Sequence, residues 1–181
     1  MTDGRMRVMG GSPSARAAVS PLPTPRGEVR FEASAPEGWL LEALGYWRRQ
    51  RGGRRWPRRA DIDPIDIPAL LPGIILLDLV GAPPRFRKRL VGSAIVEKEG
   101  GDTTGRWLDE CVNPSIREEV LRQHREAAEA PEGNCYRVAF TGADGKLYSY
   151  QRLLLPLSGD GQRVDMLFGG ARFLPPVAAR R

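Results

Sequence analysis

Histidine, cysteine and aromatic residues are scarce in this 181-residue sequence, which has one histidine, two cysteines and 7% aromatics. Cys111 and Cys135 form neither a disulfide framework nor a CxxC zinc pattern. A lone histidine leaves little room for a catalytic triad, and the G-x-S-x-G, P-loop and Rossmann fingerprints are absent. We therefore expect a protein that is not an enzyme and that has no metal site.

Long apolar runs are also missing, because no stretch approaches the roughly 18 residues that a membrane-spanning helix needs. Residues Met1–Pro25 contain no apolar core of the kind found in secretory signals. With 41% hydrophobic residues over this length, the chain can still bury a sizeable core. These features predict a soluble, cytoplasmic globular protein that does not bind membranes.

The charge is distributed unevenly along the chain, which carries 28 basic and 22 acidic residues. Residues 1–60 hold 12 basic and 5 acidic side chains, whereas the rest of the chain is close to neutral. Seven arginines lie between Arg48 and Arg59, and they could neutralise phosphates while Trp47 and Trp56 stack on bases. No helix-turn-helix, zinc finger or RNA-recognition motif accompanies them, so a nucleic-acid-associated adaptor is kept as an alternative only.

Three aspartates follow this arginine segment within a proline-rich stretch. Their spacing lacks the D-x-D-x-D-G pattern of a calcium loop. Asp61, Asp63 and Asp66 are therefore expected to cap short turns, or to pair with the arginines, and not to bind a cation.

Residues 1–33 are rich in glycine, serine, proline and arginine and show no helical or strand periodicity, which predicts a disordered basic tail. Residues 34–60 should form an amphipathic helix followed by the arginine-rich loop. Ser34 and Glu37 have the spacing of a capping box, which would start this helix.

The same helix carries an apolar stripe at helical spacing, made of Leu40, Leu44 and Trp47. This stripe could cover the sheet, or it could contact a protein partner, including a second copy of the chain. A homodimer is therefore possible on sequence grounds.

The rest of the chain is predicted to form a hairpin, a helix and three further strands. Ile74–Val80 and Arg85–Val91 flank a glycine- and proline-rich turn, which predicts a β-hairpin. A helix should start at Asn113-Pro114, and three strands separated by glycine- and aspartate-rich turns follow at Cys135–Thr141, Leu147–Leu157 and Val164–Phe173. Residues 61–174 are thus predicted to be an α+β domain, a five-stranded antiparallel sheet with helices on one face, before a C-terminal tail at 175–181.

Several stretches of the chain resemble the PAS-like family common in alphaproteobacteria, whose members are often described as stand-alone PAS-domain proteins of unknown function. The stretches are Tyr46-Trp47, Arg54–Pro64, Ile67–Pro72, Phe86–Gly92 and Gly101–Arg106. The resemblance implies a PAS fold and a sensory or regulatory role in signal transduction, exercised through protein–protein contacts and not through turnover. Lys88 and His124 stand where the family commonly has an aromatic residue and a tyrosine.

Such domains use the space between the sheet and its helices as a ligand cavity or a partner surface. Periodicity places seven residues on the wall of this cavity: Trp107, Val120, His124, Phe140, Tyr148, Tyr150 and Phe168. The alternative is a filled hydrophobic core that holds no ligand.

Haem-binding members of the family present a histidine from the helix before the third strand, so His124 is a candidate haem ligand. A buried, hydrogen-bonded imidazole is the competing interpretation. Neither cysteine lies in the N-C-R-F-L-Q motif of flavin photochemistry. We therefore expect no cofactor, with a haem sensor kept as an alternative and a small-molecule ligand as possible.

Overall fold

The computed structural model describes residues 22–178, so the predicted disorder of residues 1–21 and the predicted tail at 179–181 lie outside the described residues. The helices and strands are β1 (Pro25–Ala33), α1 (Trp39–Arg51), β2 (Ile74–Val80), β3 (Arg85–Val91), α2 (Ser93–Glu99), α3 (Leu108–Cys111), α4 (Arg117–Glu129), β4 (Asn134–Gly142), β5 (Lys146–Leu157), β6 (Met166–Phe173) and β7 (Val177–Ala178). No helix among the described residues combines the length and apolarity that crossing a membrane requires.

One antiparallel sheet organises the described chain, with strand order β1-β4-β5-β6-β2-β3 and with β7 paired to one end of β5. The predicted hairpin of β2 and β3 and the predicted meander of β4, β5 and β6 are confirmed. The α+β class and the antiparallel sheet are confirmed as well. The described residues form seven strands, whereas the sequence predicts five.

Strand β1 corrects the prediction of a disordered tail through residue 33. Pro25–Ala33 pairs antiparallel with β4, where Phe31 lies opposite Val138. Val29 and Phe31 are half-buried while their neighbours on the strand, such as Arg30, are exposed. This two-residue alternation is short and is surrounded by charged residues, so the composition of the segment is typical of a disordered tail. At the other end, β7 occupies part of the predicted C-terminal tail.

The start of α1 corrects the predicted capping box. The helix begins at Trp39, after Gly38 with φ of 55°, and no side chain caps it. The Ser34 hydroxyl instead accepts a hydrogen bond from the Gln151 amide at 3.2 Å. The Glu37 backbone N–H donates to the same side chain at 3.2 Å, so both residues bind the sheet and not the helix end.

Helix α1 is part of the core, and not a separate segment that precedes the domain. Leu40, Leu44 and Trp47 are buried against the sheet, and the Trp47 indole N–H donates to the Pro156 carbonyl at 2.9 Å. Covering the sheet is therefore the role of this stripe, and its proposed use as a free partner surface is wrong. Trp47 shares one apolar cluster with Ile62, so residue 61 marks no structural boundary.

The alternation along β5 divides the molecule into two layers around the sheet. Leu153, Leu155 and Leu157 belong to the cluster that contains α1. Arg152 and Leu154 point to the opposite face, which α2, α3 and α4 cover. The sequence predicts helices on one face plus an N-terminal helix, and the N-terminal helix occupies the other face. Helix α4 begins at Arg117, three residues later than its proline suggests.

Candidate ligand cavity between the sheet and helices α2 to α4

A cavity of about 210 Å³ lies between the sheet and the layer formed by α2, α3 and α4. Strands β2, β3, β5 and β6 form its floor, and residues from the three helices close it from above. Its apolar wall consists of aliphatic and aromatic side chains: Ile75, Ile95, Leu108, Val112, Ile116, Val120, Leu154 and Phe173. Because pockets that enclose drug-sized ligands measure about 300–1,000 Å³, this volume suits a smaller molecule.

Three of the seven residues predicted to line a cavity do so, namely Val120, His124 and Tyr150. Phe168 faces the α1 layer, because it lies opposite Leu155 in the sheet and shares that residue's face. The prediction for Phe168 is therefore wrong. Ligand binding by the other three residues stays a prediction.

The remaining predicted residues lie away from this cavity. Phe140 stacks on Tyr148 with 5.7 Å between ring centroids, and the Tyr148 hydroxyl donates to Asp144 at 2.8 Å in the β4–β5 turn. Trp107 precedes α3 and lies 4.2 Å below the Arg85 guanidinium. These three aromatic residues line neither the floor nor the roof, so their assignment to the cavity is corrected.

The sequence analysis missed the charged residues of the cavity, which are Lys88, Glu99 and Arg152. A signal for Arg152 was present, since residues two apart on a strand share a face and Tyr150 was assigned to this one. Arg152 was nevertheless not assigned to the cavity, because apolar and aromatic residues are the usual candidates for a cavity wall. Lys88 carried a signal of the same kind, because it lies two residues from Phe86 on one face of β3 while Arg87 and Arg89 lie on the other.

Lys88 is a buried cation with a complete set of partners. Its side chain is 2% exposed, and its Nζ donates to both Glu99 carboxylate oxygens at 2.8 Å. The Thr103 hydroxyl accepts a further hydrogen bond from Nζ at 2.9 Å. A buried ammonium is tolerated only when it is paired in this way. The pair joins β3 to the end of α2 and the loop that follows.

Arg152 is buried without such compensation. The residue is 9% exposed and lines the cavity, yet no carboxylate among residues 22–178 forms an ion pair with it. One of its terminal nitrogens donates to the Gln123 side-chain oxygen, and Gln123 donates in turn to Glu119 at 2.6 Å. Within the same described range its Nε has no hydrogen-bond partner. Burial lowers the pKa of Arg152, but a guanidinium stays protonated in proteins.

His124 presents a neutral imidazole to the cavity. Burial, together with the positive charges of Arg152 and Lys88, lowers the pKa of His124 well below its ordinary value. Its Nδ1 lies 2.7 Å from the Val120 carbonyl oxygen, which can only accept, so Nδ1 carries the proton and Nε2 is a free acceptor. The ring also packs on Phe86 at 5.4 Å. The interpretation as a buried, hydrogen-bonded histidine describes this arrangement.

The cavity is small for haem or flavin. Pockets that enclose drug-sized ligands measure about 300–1,000 Å³, whereas the space beside His124 measures about 210 Å³. Cys111 lines the cavity, but Cys135 lies on the other face of the sheet, 3.7 Å from the Ser34 hydroxyl. Burial raises the pKa of the Cys135 thiol and keeps it protonated. The haem alternative therefore finds no support in this geometry.

The arginine segment is largely engaged within the chain. Arg48 and Arg51 contact the Glu132 carboxylate at 2.6 and 2.9 Å, and Arg54 contacts Asp61 at 2.8 Å. The predicted pairing with the following aspartates is thus confirmed for Asp61. Because several of these charges are already balanced, the segment offers less positive potential to phosphates than its composition suggests.

The tryptophans near this segment are not free to stack on bases. Trp47 is fully buried, and Trp56 is 5% exposed beneath the Arg55 guanidinium, 4.2 Å from its ring centroid. Asp63 caps a short turn by accepting the Ile65 backbone N–H at 2.9 Å, as predicted. These contacts leave the nucleic-acid alternative without a supporting observation.

An antiparallel sheet, covered on one side by short helices that enclose a small cavity, defines an α+β domain. A family model described as PAS domain matches residues 39–171, from the start of α1 into β6. The chain belongs to the PAS domain family. Strand β1 lies outside the matched residues and is an addition to the domain at the β4 edge.

Among solved structures, that of an RNA-binding light-oxygen-voltage receptor is similar to this chain, with 15% sequence identity and a TM-score of 0.42. The alignment covers 83% of this chain and 40% of the receptor chain. The chain thus spans less than half the length of that receptor. A comparison with curated proteins gave no match.

Proposed function

We propose that this chain is a non-enzymatic sensory or regulatory module that binds a small molecule and acts in signal transduction through protein–protein contacts. Membership of the PAS domain family supports the sensory role. The observation that carries the proposal is the cavity between the sheet and α2 to α4, in whose wall Lys88, Arg152 and His124 are buried. Polar groups at the wall of an apolar cavity fix the orientation of a ligand.

The ion pair between Lys88 and Glu99 couples the cavity to α2 and to the loop that follows it. Glu99 ends α2, and Thr103 lies in the loop that returns to β3, where the Gly105 N–H donates to the Lys88 carbonyl. A ligand that contacts the Lys88–Glu99 pair changes the interaction that holds α2 and this loop on the sheet. Such a ligand shifts the population of α2 positions, which a partner protein can read.

Native mass spectrometry of the full chain, purified from the organism that encodes it, tests this function. The wild-type protein should carry a small molecule at one copy per chain. Ala171→Met, which places a longer side chain in the cavity wall, should lose that mass. Leu41→Met is the matched control, because Leu41 lies on the exposed side of α1, 55% exposed. A wild-type chain that carries no molecule would contradict ligand binding, and the same spectra report homodimers or bound partners.

A further inference from the structure

Arg152 has a feature that a purely structural arginine lacks. A buried cation is expensive, and proteins normally compensate it with a carboxylate. Arg152 is only 9% exposed, and among the described side chains its one hydrogen-bond partner is the neutral Gln123 amide. Glu119 attracts Arg152 through space but forms no ion pair with it, and the Glu119 carboxylate is itself bound by Arg122 at 2.8 Å.

The charges around the cavity leave one positive charge unbalanced. Lys88 and Glu99 form an ion pair whose oxygens both accept from Nζ, so together they are neutral. His124 is neutral because its pKa is lowered by burial and by Arg152. Arg152 therefore supplies the net charge of the groups that line the cavity. The site is complementary to a single anion.

The rest of the wall determines what else the anion must carry. Ile95, Ile116 and Val120 from the helices face Leu154 and Phe173 from the sheet, so the volume beside Arg152 is mostly apolar. An inorganic anion would leave this surface unfilled and would lose its hydration without replacement. An anion with an apolar body satisfies both parts of the site.

We infer that the cavity binds a small monocarboxylic acid with an aliphatic or aromatic body, whose carboxylate pairs with Arg152. This inference rests on the proposed function and names its ligand class. A guanidinium donates two parallel hydrogen bonds to a carboxylate, and such charged bonds are among the strongest in proteins. The Gln123 and Glu119 contacts hold the guanidinium in place, so Gln123 is a positioning residue.

Isothermal titration calorimetry with matched acid and amide pairs tests the inference. The probes are hexanoate, benzoate and phenylacetate, each compared with its neutral amide, and inorganic phosphate. At least one acid should bind the wild-type chain about 10-fold or more tightly than its amide, because the amide lacks the charge. Inorganic phosphate should not bind. Equal binding of acids and amides, no binding of any acid, or phosphate binding comparable to the acids would overturn it.

Two variants assign the effect to Arg152. Arg152→Met should weaken acid binding about 10- to 100-fold and leave the amides unchanged. Should the single variant fold poorly because Gln123 loses its partner, Arg152→Met/Gln123→Met removes both polar groups and should show the same loss. Glu132→Gln is the surface control and should bind as the wild type does, since Glu132 contacts Arg48 and Arg51 far from the cavity.

Native mass spectrometry and calorimetry together distinguish a failure of the carboxylate inference from a failure of the proposed function. A neutral molecule bound in the wild-type chain and lost in Ala171→Met would keep the function and defeat the carboxylate inference. An empty wild-type chain in native mass spectrometry, with no probe bound in calorimetry, would defeat both.

Discussion

The two faces of one sheet differ in how they are filled. Toward α1, Leu153, Leu155 and Leu157 of β5 pack in an apolar cluster with fully buried Trp47. Toward α2 to α4, the same strand presents Tyr150, Arg152 and Leu154 to a cavity. Alternate residues of one strand thus lie in a close-packed apolar core on one face and in the wall of a partly charged cavity on the other.

This difference separates the face that contributes most to stability from the face on which we propose that a ligand binds. Close packing of apolar side chains is the main source of folding free energy. A buried, uncompensated Arg152 and an open volume lower stability, and residues of this kind occur where function requires them. We therefore expect substitutions on the α1 face to lower stability most, and those on the cavity face to lower it less and to change ligand binding.

The largest effect should come from the α1 face. Trp47→Ala removes a fully buried indole and its hydrogen bond to Pro156, so the free energy of unfolding should fall by about 3–5 kcal/mol. Urea denaturation followed by circular dichroism measures it. Leu41→Ala, on the exposed side of the same helix, should change stability by less than about 0.5 kcal/mol. A Trp47→Ala loss below that of a surface substitution would remove the contrast between the faces.

The Lys88–Glu99 pair should show an asymmetric effect. Glu99→Gln leaves the 2%-exposed Lys88 ammonium without its counter-charge and should cost about 1–3 kcal/mol. Lys88→Met removes the buried charge and leaves a carboxylate that water can reach, so it should cost less. Unfolding free energies of the two variants at pH 7.5 check the order. The reverse order would show that Lys88 is not the desolvated partner.

His124 should make stability depend on pH. Because its pKa in the folded chain is lowered, protonation favours the unfolded state, whose imidazole titrates near pH 6.5. The contribution is present above about pH 6.5 and is lost as pH falls below it, by at most about 1.4 kcal/mol at pH 5.5. Urea denaturation at pH 7.5 and 5.5 should show this loss in the wild type, and His124→Phe should lack it. Identical losses in both proteins would mean that the imidazole is solvated.

The smallest effect should come from the arginine segment. Glu132→Gln breaks the contacts with Arg48 and Arg51, which are half- and partly exposed, so stability should change by less than about 1 kcal/mol. The wild-type chain itself should not bind a DNA or RNA oligonucleotide in fluorescence anisotropy. Steeply salt-dependent binding in that measurement would show that the arginine segment is a nucleic-acid interface.

Much of the architecture could be predicted from the sequence because its signals are local. The hairpin of β2 and β3 follows from an apolar run, a turn and an alternating run, and the structure has the same bounds. The turns of the β4–β6 meander are marked by glycine and aspartate. Strand β1 could not be predicted in this way, because its few inward residues, such as Val29 and Phe31, acquire their meaning only when β4 provides a partner.

The candidate site was predictable only in part, for a similar reason. Periodicity assigns Tyr150 and Val120 to the cavity correctly, since each lies on the expected face of its element. It fails for Phe168, because the face of β6 depends on a register with β5 that no local pattern reveals. The place of Arg152 follows from its spacing to Tyr150, but its lack of a carboxylate partner depends on contacts far apart in the chain, so only the folded structure shows it.

The contrast between the faces is tested most directly by the unfolding free energies of two ligand-free variants, measured side by side in urea. Leu155→Ala, on the α1 face, should cost about 2–5 kcal/mol. Arg152→Met/Gln123→Met replaces a buried polar pair by apolar side chains of similar length, and its stability should lie within about 1 kcal/mol of the wild type or above it. A loss from the double variant as large as that from Leu155→Ala would show that Arg152 supports the fold, and would contradict its assignment to ligand binding.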